Sequence, residues 1–394
     1  MRLTGVTARG IVMPLFRSGD PLAELVCQNL IKASEGEGFS INDGDIVSVT
    51  EAVVARTQGN YATCAQISTD VRRKFPGPVL GLLFPIMSRN RFSIMLKAIA
   101  QGVDKVIVQF SYPSDEVGNQ LVTWDRVDDL GVNPYTDSFD EAGFRSVFGH
   151  NTVHRFTGVD YIEYYKSLSP NIEIVFSNDP TYLLNWTDQV LCCDVHTRHR
   201  SKKLLTKAGV KTVMGLDQLM VESIDGSGFN PDYGLLGANK STEEMVKLFP
   251  RDCQTFVDTL QRLILEATGK HVEVMIYGDG GFKDPRDGIW ELHDPVISPA
   301  YTAGLGGVPN ELKIKYLLDS DLAEITEQGD LAEALRQRIS EKPQDLIGNM
   351  VSEGTTPRPL SDLLGSLSDL TSGSGDRGTP VVLIQGYFRN FASE

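Results

Sequence analysis

Five apolar runs decide how this chain reads: Val79-Leu-Gly-Leu-Leu-Phe84, Lys105-Val-Ile-Val-Gln-Phe110, Ile172-Glu-Ile-Val-Phe-Ser177, Gln189-Val-Leu-Cys-Cys-Asp194 and Lys211-Thr-Val-Met214. Each is four to six residues long with an apolar centre, which suits a buried strand. Between them, 91–101, 161–167 and 199–208 have the composition of helices. Strands that alternate with helices predict a mainly parallel sheet covered on both faces. The polar, turn-rich stretch 111–158 predicts no element.

Outward from this centre the theme changes. Near the start, Asp20 is placed to cap a helix and Pro21 to occupy its first position, ahead of Leu22, Leu25, Val26 and Leu30 on one face. The turn Asn42-Asp-Gly-Asp45 leads into a buried strand at 46–50. On the far side, 252–268 is an amphipathic helix carrying Phe256, Val257, Leu260, Leu263, Ile264 and Ala267, closed by Gly269. A strand is expected at 271–277, mixed-charge helix within 320–357, a helix at 360–370, a glycine-rich loop at 372–378 and a last strand at 381–385. No internal repeat is present.

Composition narrows the class. With 394 residues, 41% of them hydrophobic and 23% charged, the chain can build a full core. Its 37 Lys and Arg against 52 Asp and Glu leave a net charge of −15, which disfavours broad binding to nucleic acid or an anionic membrane. No run of 18 apolar residues exists and no apolar signal core opens the chain, so a cytoplasmic protein is expected. Five cysteines (Cys27, Cys64, Cys192, Cys193, Cys253), odd in number and without CxxC spacing, fit a reduced compartment.

Four segments could carry chemistry. Tyr277-Gly-Asp279-Gly-Gly281 follows a strand, so its carboxylate suits Mg²⁺ or Mn²⁺ shared with phosphates, or else a tight turn. The stretch 225–241 holds Asp232 and a defective P-loop with Asn239 in place of the second glycine. A helix expected from about Ser241 would offer N–H groups to an anion. Thr371-Ser-Gly373-Ser-Gly375-Asp376-Arg-Gly-Thr-Pro380 could wrap a nucleotide with its backbone or simply connect helix to strand. His196-Thr-Arg198-His-Arg200-Ser-Lys202-Lys203 is a cationic island past a strand end, suited to an anionic substrate or to a solvated helix face. There is no GxSxG elbow, HExxH, Rossmann glycine motif or kinase set.

Four stretches, in order, resemble the coenzyme F420-0:γ-glutamyl ligase family. They are Gly10-Ile-Val-Met-Pro14-Leu15-Phe-Arg17-Ser-Gly-Asp20 with Leu22-Ala-Glu-Leu, and Asp43-Gly-Asp-Ile-Val with Ala55-Arg56-Thr-Gln-Gly59. Leu265-Glu-Ala-Thr-Gly-Lys270 with Asp279, and Gly373-Ser-Gly375-Asp376-Arg-Gly-Thr-Pro-Val-Val382, complete the set. Departures stand at Ala55 in place of the family's serine, at Gly280 after the metal aspartate and at Ser374 in the glycine loop. The resemblance implies an α/β (mixed α+β) architecture: a ligase-like core from 1–75 and 205–394, split by an inserted, mainly parallel subdomain at 76–204.

It also implies a chemistry, in which GTP (or ATP) phosphorylates a carboxylate acceptor and the amine of L-glutamate displaces the phosphate. On that pattern Asp279 and Asp232 would hold Mg²⁺ or Mn²⁺. Pro14, Leu15, Arg17, Glu51, Arg56, Asn239, Gly373, Gly375 and Asp376 would line the nucleotide, with Asp279, Asp232 and Arg56 catalytic. His196, Arg198, Arg200 and Lys202 would meet the anionic acceptor, and the family's habit implies a homodimer. A metal-dependent phosphohydrolase or phosphotransferase, or a non-catalytic nucleotide-binding protein of the same fold, are the alternatives.

Overall fold

The computed structural model describes residues 3–278, 298–352, 358–372 and 376–393, and the backbone of 283–284 and 288–289. In chain order its strands are β1 (Thr7–Ile11), β2 (Ile46–Thr50), β3 (Tyr61–Thr63), β4 (Val79–Leu83), β5 (Lys105–Phe110), β6 (Phe139–Asp140), β7 (Ile172–Phe176), β8 (Gln189–Cys192) and β9 (Thr212–Gly215). Then follow β10 (Asn239–Thr242), β11 (Met245–Lys247), β12 (Glu273–Tyr277), the small hairpin β13 (Lys283–Asp284) and β14 (Gly288–Ile289), and β15 (Val381–Gln385). The helices used below are α1 (Leu22–Glu37), α2 (Glu51–Thr57), α3 (Cys64–Lys74), α4 (Phe92–Ala100), α5 (Trp124–Asp129), α6 (Glu141–Phe148), α7 (Tyr161–Ser167), α8 (Arg198–Lys207), α9 (Cys253–Thr268), α10 (Ile314–Asp319), α11 (Gln328–Ser340) and α12 (Leu360–Ser372). The fold is mixed α/β, as the alternation predicts.

The apolar runs form one six-stranded sheet in the order β6-β7-β5-β4-β8-β9, parallel except for the edge strand β6. Its central strands are buried on both faces because helices flank it: Leu80, Leu82, Val106 and Val108 face one core, Leu83, Ile107 and Val190 another. The larger of these cores also takes in Ala62, Val246 and Leu248, so the small sheet β10-β11-β3 packs onto this unit. The second unit is the four-stranded sheet β1-β15-β2-β12. Against it α9 buries Cys253, Val257, Leu260 and Ile264, a spacing that keeps one helical face inward. Each such Leu or Ile contributes about 1.5–3 kcal/mol by leaving water.

Three local expectations are corrected. Asp20 does not cap α1: its carboxylate accepts from the Arg17 N–H at 2.6 Å, and Pro21 is the capping residue. No helix starts near Ser241. Instead β10 and β11 form a hairpin, because Val246 and Leu248 alternate into the large core while Met245 and Lys247 pair with Thr63 and Tyr61. The stretch 111–158 holds α5, β6 and α6, each helix started by an Asp or Thr cap (Thr123, Asp140) that polarity alone conceals.

Candidate functional site

Three of the family-like segments come together at one end of the four-stranded sheet. Strands β2 and β12 run parallel and end in register, Thr50 opposite Tyr277. Strand β15 runs the other way and enters at that end, Val381 opposite Val49, while β1 leaves there, Ile11 opposite Val381. Segments 12–20, 51–59 and 376–380 therefore meet, and the chain leading to Asp279 departs beside them. Backbone bonds lock the meeting: Met13 donates to Gly378 at 3.0 Å, Thr50 to Pro380 at 3.0 Å and Gly19 to Thr57 at 2.7 Å. A Cβ on Gly10 would stand 2.9 Å from the Thr379 Cβ, so the close approach of β1 to that segment needs glycine there.

Beside this end opens a cleft of about 340 Å³ lined by Arg17, Ser18, Arg56, Tyr61, Ser241 and Met245. Arg56 sits on α2 with its Nε donating to the Phe16 carbonyl at 2.7 Å, which ties it to the Arg17 loop. Both guanidiniums are solvent-facing, and neither has a carboxylate partner among the described residues. Two such cations on one cleft of an acidic protein give it a positive local potential that suits an anion.

The opposite wall is the three-stranded sheet. Asn239, Lys247 and Tyr61 lie opposite one another across β10, β11 and β3, so their side chains share a face. The Lys247 ammonium donates to both carboxylate oxygens of Glu51 at 2.6 Å, and Glu51 is only 2% exposed at the end of β2. Of the residues the sequence pointed to, Arg17, Glu51, Arg56 and Asn239 are thus gathered at one place. Lys247, Tyr61 and Met245 escaped sequence reading; their signal was the alternation Met245-Val-Lys247-Leu, masked by the expectation of a helix.

The loop before Asn239 is anchored at the same junction. Asn60 accepts from the Phe229 N–H at 2.9 Å and from Arg251 at 2.6 Å, and Asn230 donates to the Phe249 and Pro250 carbonyls. Asp232 follows, its N–H bonded to the Asn230 side chain at 3.0 Å and its carboxylate exposed. Burial, and then the carboxylates of Asp252, Glu51 and Asp232, push the Cys253 thiol up to about 12. Among the described residues no group of three or more His, Cys, Asp or Glu side chains stands close enough to hold a metal ion. Asp279, Gly373 and Gly375 lie outside the described residues. Pro14, Leu15 and Asp376 are exposed on the converging loops.

The cationic segment belongs to the other sheet. It starts α8 past β8, where Arg198 pairs with Asp217 at 3.0 Å and Lys202 donates to Gln218. The N–H groups of Val195, His196 and Thr197 all donate to the Glu116 carboxylate, the last two at 3.1 and 3.2 Å. His196 and Arg200 remain exposed. The buried thiols of Cys192 and Cys193 are pushed up, Cys192 to about 12, chiefly by loss of water, which keeps them protonated.

Among the described residues no helix is long and apolar enough to cross a membrane. A protein-family model described as F420-0:Gamma-glutamyl ligase matches residues 10–386. No curated protein matches the chain.

Proposed function

Because the chain belongs to the F420-0:gamma-glutamyl ligase family, with small molecules as substrates, we propose that it is an amide ligase adding L-glutamate to a carboxylate acceptor at the expense of GTP or ATP. The observation that supports this reading is the convergence of segments 12–20, 51–59 and 376–380 at one end of the four-stranded sheet, next to a cleft with two arginines that have no carboxylate partner among the described residues.

In this reading the terminal phosphoryl group passes from the nucleotide to an acceptor carboxylate oxygen, and the nucleoside diphosphate leaves. The glutamate amine then attacks the acyl carbon, the C–N bond forms, inorganic phosphate departs and the ammonium proton goes to solvent. Positioning and charge neutralisation supply most of the catalysis of such a transfer, which suits a site without a nucleophile. Arg17 and Arg56 bind the phosphates, and Asn239, Glu51 and the loops bearing Pro14, Leu15 and Asp376 shape their pocket, with Gly373 and Gly375 in the same role. His196 and Arg200 meet the acceptor anion, while Arg198 and Lys202 hold the helix that presents them.

A divalent ion, Mg²⁺ or Mn²⁺, is proposed at Asp279 and Asp232, and a homodimer as the working assembly. Mass spectrometry after incubation with nucleotide, Mn²⁺, glutamate and a panel of carboxylates tests the reading. A product heavier by one glutamyl residue supports it. Phosphate release that is the same with and without glutamate defeats it in favour of a hydrolase.

A further inference from the structure

The Glu51–Lys247 pair is an unusual thing to bury. Its side chains are 2% and 11% exposed, and withdrawing two charges from water costs several kcal/mol per ion, which mutual attraction only partly offsets. A pair of apolar side chains would hold β2 to β11 at least as well. The ammonium carries three donors. Two go to Glu51 at 2.6 Å, and among the described residues the third has no acceptor. Lys247 also shares its sheet face with Tyr61, opposite it, and with Met245, two residues earlier, and both of these line the cleft. The same sheet face thus carries an anchored ammonium next to two residues of the cleft that Arg17 and Arg56 also line.

We propose that Lys247 is a third cation of this cleft and touches the ligand: Glu51 fixes the ammonium, and its remaining N–H bonds a phosphate oxygen. Lysine suits this role because its compact charge accepts a phosphate from several directions, whereas the arginines supply flat, forked donors. Sequence reading assigned no role to Lys247. The inference rests on the reading of the cleft as a polyphosphate site.

The test is calorimetric binding of inorganic tripolyphosphate in metal-free buffer, so that no divalent ion is involved. Wild type binds, Arg17→Ala binds weakly, Lys247→Met binds about tenfold or more weakly, and Lys247→Arg keeps most of the affinity. Lys247→Met leaves Glu51 buried without its partner and can lose stability, so the double variant Glu51→Gln/Lys247→Met, which removes both charges, is measured beside it. If contact is the role, the double variant folds and still binds weakly. Recovery of wild-type affinity in the double variant, or full affinity in Lys247→Met, overturns the proposal while a weakened Arg17→Ala keeps the cleft reading. Failure of wild type to bind overturns both.

Discussion

Gly59 shows how little room the junction leaves. Its φ is +62°, and a Cβ there would stand 2.5 Å from the Ser18 Oγ. Gly59→Ala therefore meets both backbone strain and a clash, and should cost about 1–3 kcal/mol in a urea midpoint measurement. Gly19, at φ +88° but with nothing within 4 Å, meets the strain alone and should cost about 1 kcal/mol when changed to alanine. Equal costs at the two positions would show that Ser18 yields freely. Arg56 makes a different point. Its Nε is held by Phe16, and among the described residues its charge has no carboxylate partner, so on the proposed reading Arg56→Ala should weaken nucleotide binding about tenfold with little change in melting temperature. All five cysteines are free and buried, and every thiol is pushed up, burial being the first cause. Since the thiolate is the reactive form, a thiol reagent at pH 8 should modify none of them in the folded protein and all five in denaturant.

Among elements, the loop after β5 shows how two parallel strands are stapled at their C-terminal end. Buried Asp115 accepts from the N–H groups of Met87, Val117, Gly118 and Asn119 and from the Asn119 side chain, at 2.7–3.1 Å. Asp115→Asn turns an NH₂ toward these donors and should cost about 2–4 kcal/mol, read as a lowered denaturation midpoint. Strands such as β5, β2 and β15 were legible in the sequence because burial on both faces demands a near-continuous apolar run, broken only at Ser48 in β2 and Gln109 in β5. The hairpin β10–β11 was not, because half its residues face solvent or the cleft and its partner β3 is 176 residues away from the start of β10, a distance local pattern does not span. The same reason hid Lys247. The candidate cations Arg17 and Arg56 were legible through their motifs, whereas their meeting depends on the order of strands in a sheet. The cationic segment 196–203 read as an anionic-substrate site or a solvated helix face, and local pattern gave no sign that Glu116, a carboxylate from a distant loop, accepts from its N–H groups.

At the scale of the molecule, the cleft lies where two units meet: Arg17 and Arg56 come from the four-stranded unit, Tyr61, Ser241 and Met245 from the sheet packed on the six-stranded one. We propose that 1–75 with 205–394 form the ligase-like core and 76–204 the insertion. Replacing 76–204 by a short linker should nevertheless give an insoluble or dye-binding product, because Ala62, Val246 and Leu248 share the large core with that segment and β9 pairs with β8. A soluble, cooperatively melting product would show that this core can close without it. The place of β15 has a consequence in time. It lies between β1 and β2, and its entry at residue 381 completes the sheet end from which the segments bearing Arg17 and Arg56 leave. During synthesis, β1 has no neighbour in its sheet until almost the whole chain has emerged from the ribosome. A translation product that stops short of residue 381 therefore lacks the strand that joins β1 to β2, and with it the junction of segments 12–20 and 51–59.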